Sequence, residues 1–520
     1  MKCVVGIDVG TTSTRAFVFD EKGNVKGKSQ QLNPLYEPGP VGWLECKGQD
    51  LINIFYDVTK KAIEEAYSNG VKSSDILSIS FSVFRCTVIT RDKDGGFITP
   101  IIMWQDIRGG EVLNYMEECL KKANMTPNDL YDICGMPMSA CLPSSKLIWT
   151  MLNKPKEFEK CTRIHTTMGL ITKAFGADDY YDDYTNTPWL QLNDEKMQYS
   201  DKLCNVFGID KNKLAPLRKP GEIVGHISEE VSKETNLPVG IPIIMGIGDQ
   251  QSGVLGLGCL CEDIGYACGG TAGITAIRSK NIIRDPLKKC YVLGTPDGEF
   301  EIEGQANSSA SVFKWFKDNF CYDLIDENKN VYDVMTEQAK ESSVGARGVL
   351  FLPYMMGANT PNYNENARGT FVGLTLSHKR YDIIRSIMEG VIFDLKDMFD
   401  SLKKANTTEL KEIRITGGIA RSELWNQIQA DIYNKKVVTI SNEEATVLGS
   451  AIIASVGAGI YKNYQEAVSN MVHIQKTYLP NKDDVLKYKK IFLMWKETYQ
   501  KLAESIYDNI SMYQKSLDNK

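Results

Sequence analysis

Histidine is scarce in this sequence, with four residues in 520, and the thirteen cysteines show no paired spacing. Cys259 and Cys261 lie closer together than zinc-binding cysteines do, which argues against a structural zinc site. A run of about 18 apolar residues is absent, which excludes a transmembrane helix. The N-terminal sequence MKCVVGIDVG reaches an acidic residue too early for a signal peptide. These absences predict a cytoplasmic protein whose cysteines are reduced and mostly buried.

A basic excess is missing as well, since 60 Lys and Arg stand against 66 Asp and Glu. The net charge of -6 argues against a nucleic-acid partner, and no feature predicts a membrane partner. The hydrophobic share of 42% and the charged share of 24% are typical of a globular protein. A chain of 520 residues is too long for one hydrophobic core, so two domains are predicted.

The stretch IPIIMGIGDQQSG, residues 241–253, places an acid at the end of an apolar strand. Ligand sites in open α/β folds lie outside the carboxyl ends of strands, and glycines let a ligand approach the backbone. We therefore predict that Asp249 is a general base that deprotonates a substrate hydroxyl. The alternative is an Asp that closes an ordinary turn.

The first forty residues predict paired strands around the turn Gly10-Thr11-Thr12. Backbone N–H groups and hydroxyls of such a turn form a phosphate cradle, while Asp8 can hold the water shell of a magnesium ion. An ordinary structural hairpin is the alternative.

The same pattern recurs where two predicted strands, 264–267 and 274–277, flank the turn Gly269 to Gly273. Two such hairpins predict two domains of related build, residues 1–244 and 245–520, with a nucleotide held between them. A third glycine turn, Gly417-Gly418, follows a predicted strand and precedes a helix from Ser422. Backbone at such a helix start suits an adenine or ribose, although helix-cap packing would also explain the glycines.

Several motifs together resemble the FGGY family of carbohydrate kinases, in its order and at about its distances. They are GIDVGTTSTRA, KLIW, GDQQSG, GTFVGLTLSHKRYDIIRSIME, GGIARSELWNQIQADI and EEATVLGSAI. Thr150, after KLIW, departs from the apolar residue that is usual there. The resemblance covers nearly the whole chain.

The resemblance implies an α/β, two-lobed, actin-like (ribonuclease H-like) ATPase fold with the active site in the interdomain cleft. It also implies phosphoryl transfer from ATP with Mg²⁺ to a small sugar or polyol. In this resemblance Asp249 matches the catalytic base, and Asp8 with Asp249 would hold magnesium, mainly through water. The matching nucleotide-binding residues are Gly10, Thr11, Thr12, Ser13, Arg15, Gly270, Thr271, Gly273, Gly417, Gly418 and Ser422.

The motifs on the predicted sugar-binding side resemble more than one kind of sugar kinase. Gly42 to Glu45 and Ala358 to Gly369 are similar to xylulokinase segments, whereas GDQQ and the sequence WQDIR from Trp104 are similar to glycerol kinases. The histidine of the xylulokinase QMH triplet is absent near Arg85. The predicted substrate contacts are Phe84, Arg85, Trp104, Asp106 and Gln250. Trp104 in the core, and Asp106 in a structural ion pair with Arg108, are the alternatives.

A ketopentose similar to xylulose is the predicted substrate. The alternatives are glycerol or erythritol, the furanosyl autoinducer signal, and, in another class, an actin-like module that binds nucleotide without phosphorylating a small molecule. After Pro480, apolar residues from Tyr488 to Ile506 recur at helical spacing. This stripe predicts a helix packed on the second lobe, with a homodimer contact as the alternative.

Overall fold

Two large mixed sheets are the scaffold of this computed structural model, which describes residues 1–185, 196–324, 329–406, 408–442 and 444–518. The strands are β1 Cys3–Val9, β2 Ser13–Asp20, β3 Val25–Leu32, β4 Leu35–Tyr36, β5 Glu45–Cys46, β6 Ile76–Val83, β7 Ile89–Arg91, β8 Ile101–Ile102, β9 Arg163–His165, β10 Asp182–Asp183, β11 Leu217–Arg218, β12 Ile223–His226, β13 Pro242–Ile244, β14 Ile247–Gly248, β15 Ile264–Gly269, β16 Gly273–Ser279, β17 Tyr291–Gly294, β18 Phe300–Ala306, β19 Leu350–Leu352, β20 Thr370–Val372, β21 Glu412–Thr416, β22 Lys436–Ile440 and β23 Ile474–Tyr478.

Helices cover both sheets and form the C-terminal end of the described chain. They are α1 Gly48–Ser68, α2 Leu113–Lys122, α3 Pro127–Cys134, α4 Pro143–Asn153, α5 Pro155–Phe158, α6 Thr167–Phe175, α7 Asp201–Phe207, α8 Glu229–Thr235, α9 Asp249–Gly256, α10 Ala310–Phe320, α11 Val331–Ala339, α12 Arg380–Ala405, α13 Glu423–Tyr433, α14 Ala445–Gly457, α15 Tyr464–Met471, α16 Lys482–Ala503 and α17 Ile506–Asp518. Within the described ranges, no helix has both the length and the apolar character needed to cross a bilayer.

The first sheet has the strand order β12-β13-β6-β1-β2-β3, and β14 also pairs with β6. β1 runs antiparallel to β2 and parallel to β6. Every residue of β1 is buried, since α14 packs on one face of the strand and α1 covers the neighbouring strands from the other. A strand covered on both faces is a continuous apolar run, which is why Cys3–Val9 is apolar apart from Gly6 and Asp8.

The second sheet repeats this arrangement, in the order β17-β18-β16-β15-β21-β22-β23. β15 is antiparallel to β16 and parallel to β21, as β1 is to β2 and β6. The predicted recurrence of the hairpin is therefore confirmed, together with the two-lobed α/β architecture. β14 follows residue 244 and still pairs in the first sheet, and the boundary between 244 and 245 stays a prediction.

Helix α9 crosses closely over α14, which also packs on β1 and β6 of the first sheet. A Cβ atom at Gly256 would lie 1.8 Å from the Ala445 carbonyl oxygen, and one at Gly449 would lie 2.0 Å from the Ser252 carbonyl oxygen. Only glycine fits at these two positions, because each backbone touches the other. The crossing holds α9, and with it the start of this helix at Asp249, in a defined place.

The C-terminal stripe packs on the second lobe as predicted. Tyr488, Phe492, Trp495 and Tyr499 of α16 are buried in the core cluster of that lobe. Ile506 does not continue the stripe, since it begins the separate helix α17 and is 45% exposed. All thirteen cysteines are free, in agreement with the sequence-based expectation.

Candidate active site

Asp249 is the first residue of α9 and directly follows β14. Its side chain is 22% exposed, and its Oδ1 lies 3.4 Å from Arg85 Nε. The Gln250 backbone N–H donates to the same oxygen at 2.8 Å. Burial raises the pKa of Asp249, while the Arg85 guanidinium opposes that rise. The result is an accessible carboxylate with a raised proton affinity, as a general base requires.

Arg85 links the two lobes at this point. Its Nη1 and Nη2 donate to the Glu303 carboxylate at 2.9 and 2.8 Å, a bidentate pair. Arg85 follows β6 of the first sheet, whereas Glu303 lies in β18 of the second and is fully buried. Nη1 also donates to Gln251 Oε1 at 3.3 Å. The guanidinium therefore faces two carboxylates, those of Glu303 and Asp249.

Asp8 lies near Asp249 at the end of β1, where Ser82 Oγ donates to its Oδ1 at 2.8 Å. Burial and, to a smaller extent, the Asp249 charge raise the pKa of Asp8 to about 6, against the opposing effects of Arg15 and Ser82. Two such carboxylates fit Mg²⁺, which keeps several waters and takes one or two carboxylates together with substrate phosphates. In the ranges that the structure describes, three or more metal-binding side chains do not come together.

The first glycine turn lies between β1 and β2 and is held from both sides. Gly10 N–H donates to the Ser13 carbonyl at 3.0 Å, and the Asn33 amide donates to the Gly10 carbonyl at 2.7 Å. Trp104 Nε1 donates to Thr11 Oγ1 at 2.8 Å, and the Thr12 side chain is exposed. The turn thus presents Thr11 and Thr12, while Trp104 connects it to the predicted sugar side.

Two predicted nucleotide contacts of the first lobe have protein partners in this structure. Ser13 is buried, and its Oγ accepts from Gln30 Nε2 at 3.0 Å, on the side of the neighbouring strand. Arg15 Nη1 donates to Glu444 Oε2 at 2.8 Å and lies 3.7 Å from Asp8 Oδ2. Arg15 is half-buried. Its charge lowers the pKa of Asp8, and its hydrogen bond to Glu444 joins the two lobes.

The second glycine turn lies between β15 and β16 and rests on the start of α10. The backbone N–H of Ala310 donates to the Gly270 carbonyl at 2.8 Å, and that of Ser309 to the Thr271 carbonyl at 3.0 Å. Gly273 is buried at the start of β16. Burial and, less strongly, the Asp249 carboxylate raise the pKa of Cys268, which directly precedes the turn, to about 11. The predicted base and the second turn are therefore electrostatic neighbours.

The third glycine turn approaches the second closely. Gly417 has φ +85°, and a Cβ atom there would lie 2.7 Å from the Gly269 carbonyl oxygen. Ser422 caps α13, its Oγ accepting from the Trp425 backbone N–H at 3.4 Å. Glycine is required at position 417 both by the positive φ and by the contact.

A cavity of about 440 Å³ opens between these two turns. It brings together the predicted residues Gly270, Thr271, Gly418 and Ser422. Sequence reasoning missed the rest of its lining, which consists of Ala310, Ser311, Phe313, Lys314, Asn330, Tyr332, Asp333, Thr336, Ile419, Arg421 and Trp425. The rings of Phe313 and Tyr332 stack with centroids 6.0 Å apart. The volume and the aromatic lining suit a ligand of nucleoside size.

Two of the predicted substrate contacts are buried in this structure. Phe84 is 2% exposed and packs in the core of the first lobe, directly after the buried strand β6. Asp106 is fully buried, and its oxygens accept from the Leu44 backbone N–H at 2.6 Å and from the Arg108 guanidinium at 2.9 and 2.7 Å. The alternative of a structural ion pair with Arg108 is the one that the structure contains.

Around Arg85, sequence reasoning also missed the roles of Glu303 and Gln251. A local signal existed for Glu303, since FEIEGQA alternates two acids with apolar residues, and both acids are buried in the strand. Gln250, which was predicted, is half-buried and accepts from the Tyr266 hydroxyl at 3.2 Å. Gln251, its neighbour, is buried and contacts Arg85 instead.

Known carbohydrate kinases match this chain over almost its whole length. Residues 3–256 match the FGGY family of carbohydrate kinases, N-terminal domain, and residues 265–458 match its C-terminal domain. A gluconokinase of Bacillus subtilis (strain 168) is 28% identical over 99% of this chain and 98% of its own length. A xylulose kinase of Lactococcus lactis subsp. lactis (strain IL1403) is 24% identical over 97% and 98%. The crystal structure of ligand-bound xylulose kinase from Lactobacillus acidophilus superposes with a TM-score of 0.88, 24% identity and coverage of 98% and 100%.

Proposed function

The chain belongs to the FGGY family of carbohydrate kinases, and from this premise we propose that it phosphorylates a neutral, ketopentose-like sugar with Asp249 as the general base. ATP use follows from the family, and the acceptor is a small-molecule sugar. The observation that carries the proposal is the Asp249 carboxylate, which is 22% exposed at the start of α9 and lies 3.4 Å from a buried arginine.

Asp249 takes the proton of the attacking sugar hydroxyl in this proposal. Burial raises its pKa and with it the proton affinity, while the Arg85 guanidinium opposes that rise. The Gln250 N–H donates to Oδ1 and Arg85 Nε lies beside the same oxygen, so we assign Oδ2 to the acceptor hydroxyl. Closure of the lobes around this site would exclude water, which would otherwise compete as the acceptor.

The nucleotide lies against the three glycine turns in this proposal. The cavity beside Gly418 and Tyr332 receives the adenosine, and the turns with Thr11 and Thr271 face the phosphates. Asp8 and Asp249 would hold Mg²⁺ through its water ligands. When bound, the ion offsets the charge of the phosphate groups.

The charges around Arg85 favour a neutral acceptor over an aldonate. Before Mg²⁺ binds, the Arg85 guanidinium and the carboxylates of Glu303 and Asp249 sum to about one negative charge when both acids are ionised. A substrate carboxylate about 4 Å from that charge would cost about 4 kcal/mol at an effective dielectric constant of 20. The gluconokinase of Bacillus subtilis is similar overall, but this argument favours a ketose for the present chain.

Coupled ADP release against a panel of acceptors tests the proposal. The panel contains D- and L-xylulose, D- and L-ribulose, erythritol, glycerol, gluconate and the autoinducer precursor, each with ATP and magnesium. We expect one ketopentose to be strongly preferred. For Asp249→Asn we expect normal folding and a turnover reduced by about a hundredfold or more, because the side chain keeps its size and loses its basicity. Preference for gluconate would contradict the charge argument, and near wild-type turnover of the variant would remove Asp249 as the base.

A further inference from the structure

Lys146 is a buried cation outside the catalytic residues described above. It lies in α4, its side chain is fully buried, and its four hydrogen-bond acceptors are all backbone carbonyl oxygens. Nζ lies 2.7 Å from the carbonyl of Met103, 2.8 Å from that of Cys141, 3.0 Å from that of Trp104 and 3.2 Å from that of Cys86. An ammonium has three protons, so at least one of them is shared between two acceptors.

The four carbonyls belong to three separate segments of the first lobe. Cys86 directly follows Arg85 after β6, Met103 and Trp104 follow β8, and Cys141 precedes α4. Two of these segments reach the site, since Arg85 contacts Asp249 and Trp104 donates to Thr11. One ammonium thus ties together the backbone of the segments that carry Arg85 and Trp104.

The conformation of Cys86 shows that its segment needs such a tie. Cys86 has φ +62°, a left-handed conformation that is unfavourable for a residue with a Cβ atom. Such strain persists only where the surroundings hold it, and it is concentrated at functional sites. The Cys86 carbonyl is one of the four that accept from Lys146, so the ammonium helps to hold this turn beside Arg85.

Burying the Lys146 ammonium in this position lowers the stability of the folded state. Burial lowers the pKa of Lys146 to about 8, and the titratable and charged groups around it are Cys141, Cys86, Asp106 and Arg108. Asp106 and Arg108 pair with each other, and burial keeps the Cys86 thiol protonated by raising its pKa. The folded state therefore disfavours the charged lysine, and the four carbonyl acceptors are what offset the cost of burying its ammonium.

We propose that Lys146 is a positioning residue for the sugar pocket, in which its ammonium fixes the Arg85 and Trp104 segments in the conformation that binds the acceptor. This inference rests on the proposed function, since it assumes that these two segments form the acceptor side of the cleft. Lys146 does not touch the nucleotide cavity, whose lining lies in the second lobe. Loss of the ammonium should therefore weaken sugar binding and leave nucleotide binding unchanged.

The test is Lys146→Met, assayed with whichever acceptor of the panel the wild type uses best. Methionine keeps the length of the side chain and removes the charge and the donors. We expect the KM for the sugar to rise about tenfold or more, because a small displacement of a binding segment is expensive, while the KM for ATP stays within about twofold. The matched control is Lys173→Met, because Lys173 also donates to two backbone carbonyls of the first lobe, those of Ala177 and Asp178. Both KM values should stay at the wild-type level in this control.

A pH profile of the wild type gives a second measurement that does not depend on the folding of a variant. Above about pH 8 the ammonium loses its proton, so the KM for the sugar should rise towards about pH 9.5 while the KM for ATP stays flat. A sugar KM that is flat over this range, or one that changes by less than about twofold in a folded Lys146→Met enzyme, would overturn the inference. Equal increases in both KM values would also overturn it, since they indicate a general structural role. If gluconate is the acceptor used, the proposed sugar class fails and Lys146 is still tested with gluconate.

Discussion

Replacement of Arg85 by methionine should move the acid limb of the pH–rate profile to higher pH. Arg85 Nε lies 3.4 Å from Asp249 Oδ1, and its positive charge opposes the rise that burial imposes on the pKa of Asp249. An opposite charge at this distance lowers the pKa of a carboxyl by about one to three units. Without Arg85 we therefore expect the pKa of the base, and with it the acid limb of kcat/KM, to rise by about one to three units.

The sign reverses when Glu303 is changed instead. Glu303→Gln keeps the guanidinium and removes the carboxylate that competes with Asp249 for it, so the acid limb should move to lower pH. Arg85→Met alone leaves Glu303 as a buried charge without its partner, at a cost of about 3–5 kcal/mol in the free energy of unfolding. The double variant Arg85→Met/Glu303→Gln removes that cost and should keep the raised acid limb.

Steady-state kcat/KM from about pH 5 to 9 for these three variants and the wild type is the assay. Fitting the position of the acid limb separates the pKa of the base from any uniform loss of sugar binding. An acid limb that stays in place in Arg85→Met, or that moves upward in Glu303→Gln, would refute the view that Arg85 sets the ionisation of Asp249.

Two further substitutions test the nucleotide cavity and the crossing of α9 and α14. Tyr332→Ala removes one ring of the aromatic pair in the cavity. We therefore expect the KM for ATP to rise about tenfold and the KM for the sugar to stay unchanged. Equal changes in both KM values would contradict the assignment of this cavity to the nucleotide. Gly449→Ala should lower the free energy of unfolding by about 1–3 kcal/mol in urea denaturation, although alanine favours helices, because its Cβ would lie 2.0 Å from the Ser252 carbonyl oxygen. A stability equal to that of the wild type would show that the helices can separate without cost.

Local pattern was sufficient for the parts of the site that consist of one short segment. The turn at Gly10, the turn at Gly270 and the helix start at Ser422 are each formed by residues adjacent in sequence, and they could be predicted from glycine placement and strand alternation. The same holds for the repeat of the hairpin, which the order of the two sheets confirms. Asp249 was found in this way too, as an acid at the end of a strand, and its role as the base remains a prediction.

Contacts between distant segments were beyond the reach of local pattern. Arg85 and Glu303 are 218 residues apart, and nothing near either residue identifies the other as its partner. The same limit applies to the cavity lining from α11 and to the four carbonyls around Lys146. The burial of Phe84 was also missed, because strand alternation predicts two faces but not which of them a neighbouring element covers.

The sequence by itself determined which residue types stand at the turns and at the strand ends, because backbone conformation and strand alternation depend on near neighbours. Only the tertiary structure decided which charges meet, since the pairing of Arg85 with Glu303 and Asp249 requires the two lobes to be packed together. The ionisation of the predicted base depends on burial and on those charges, and both are properties of the folded chain.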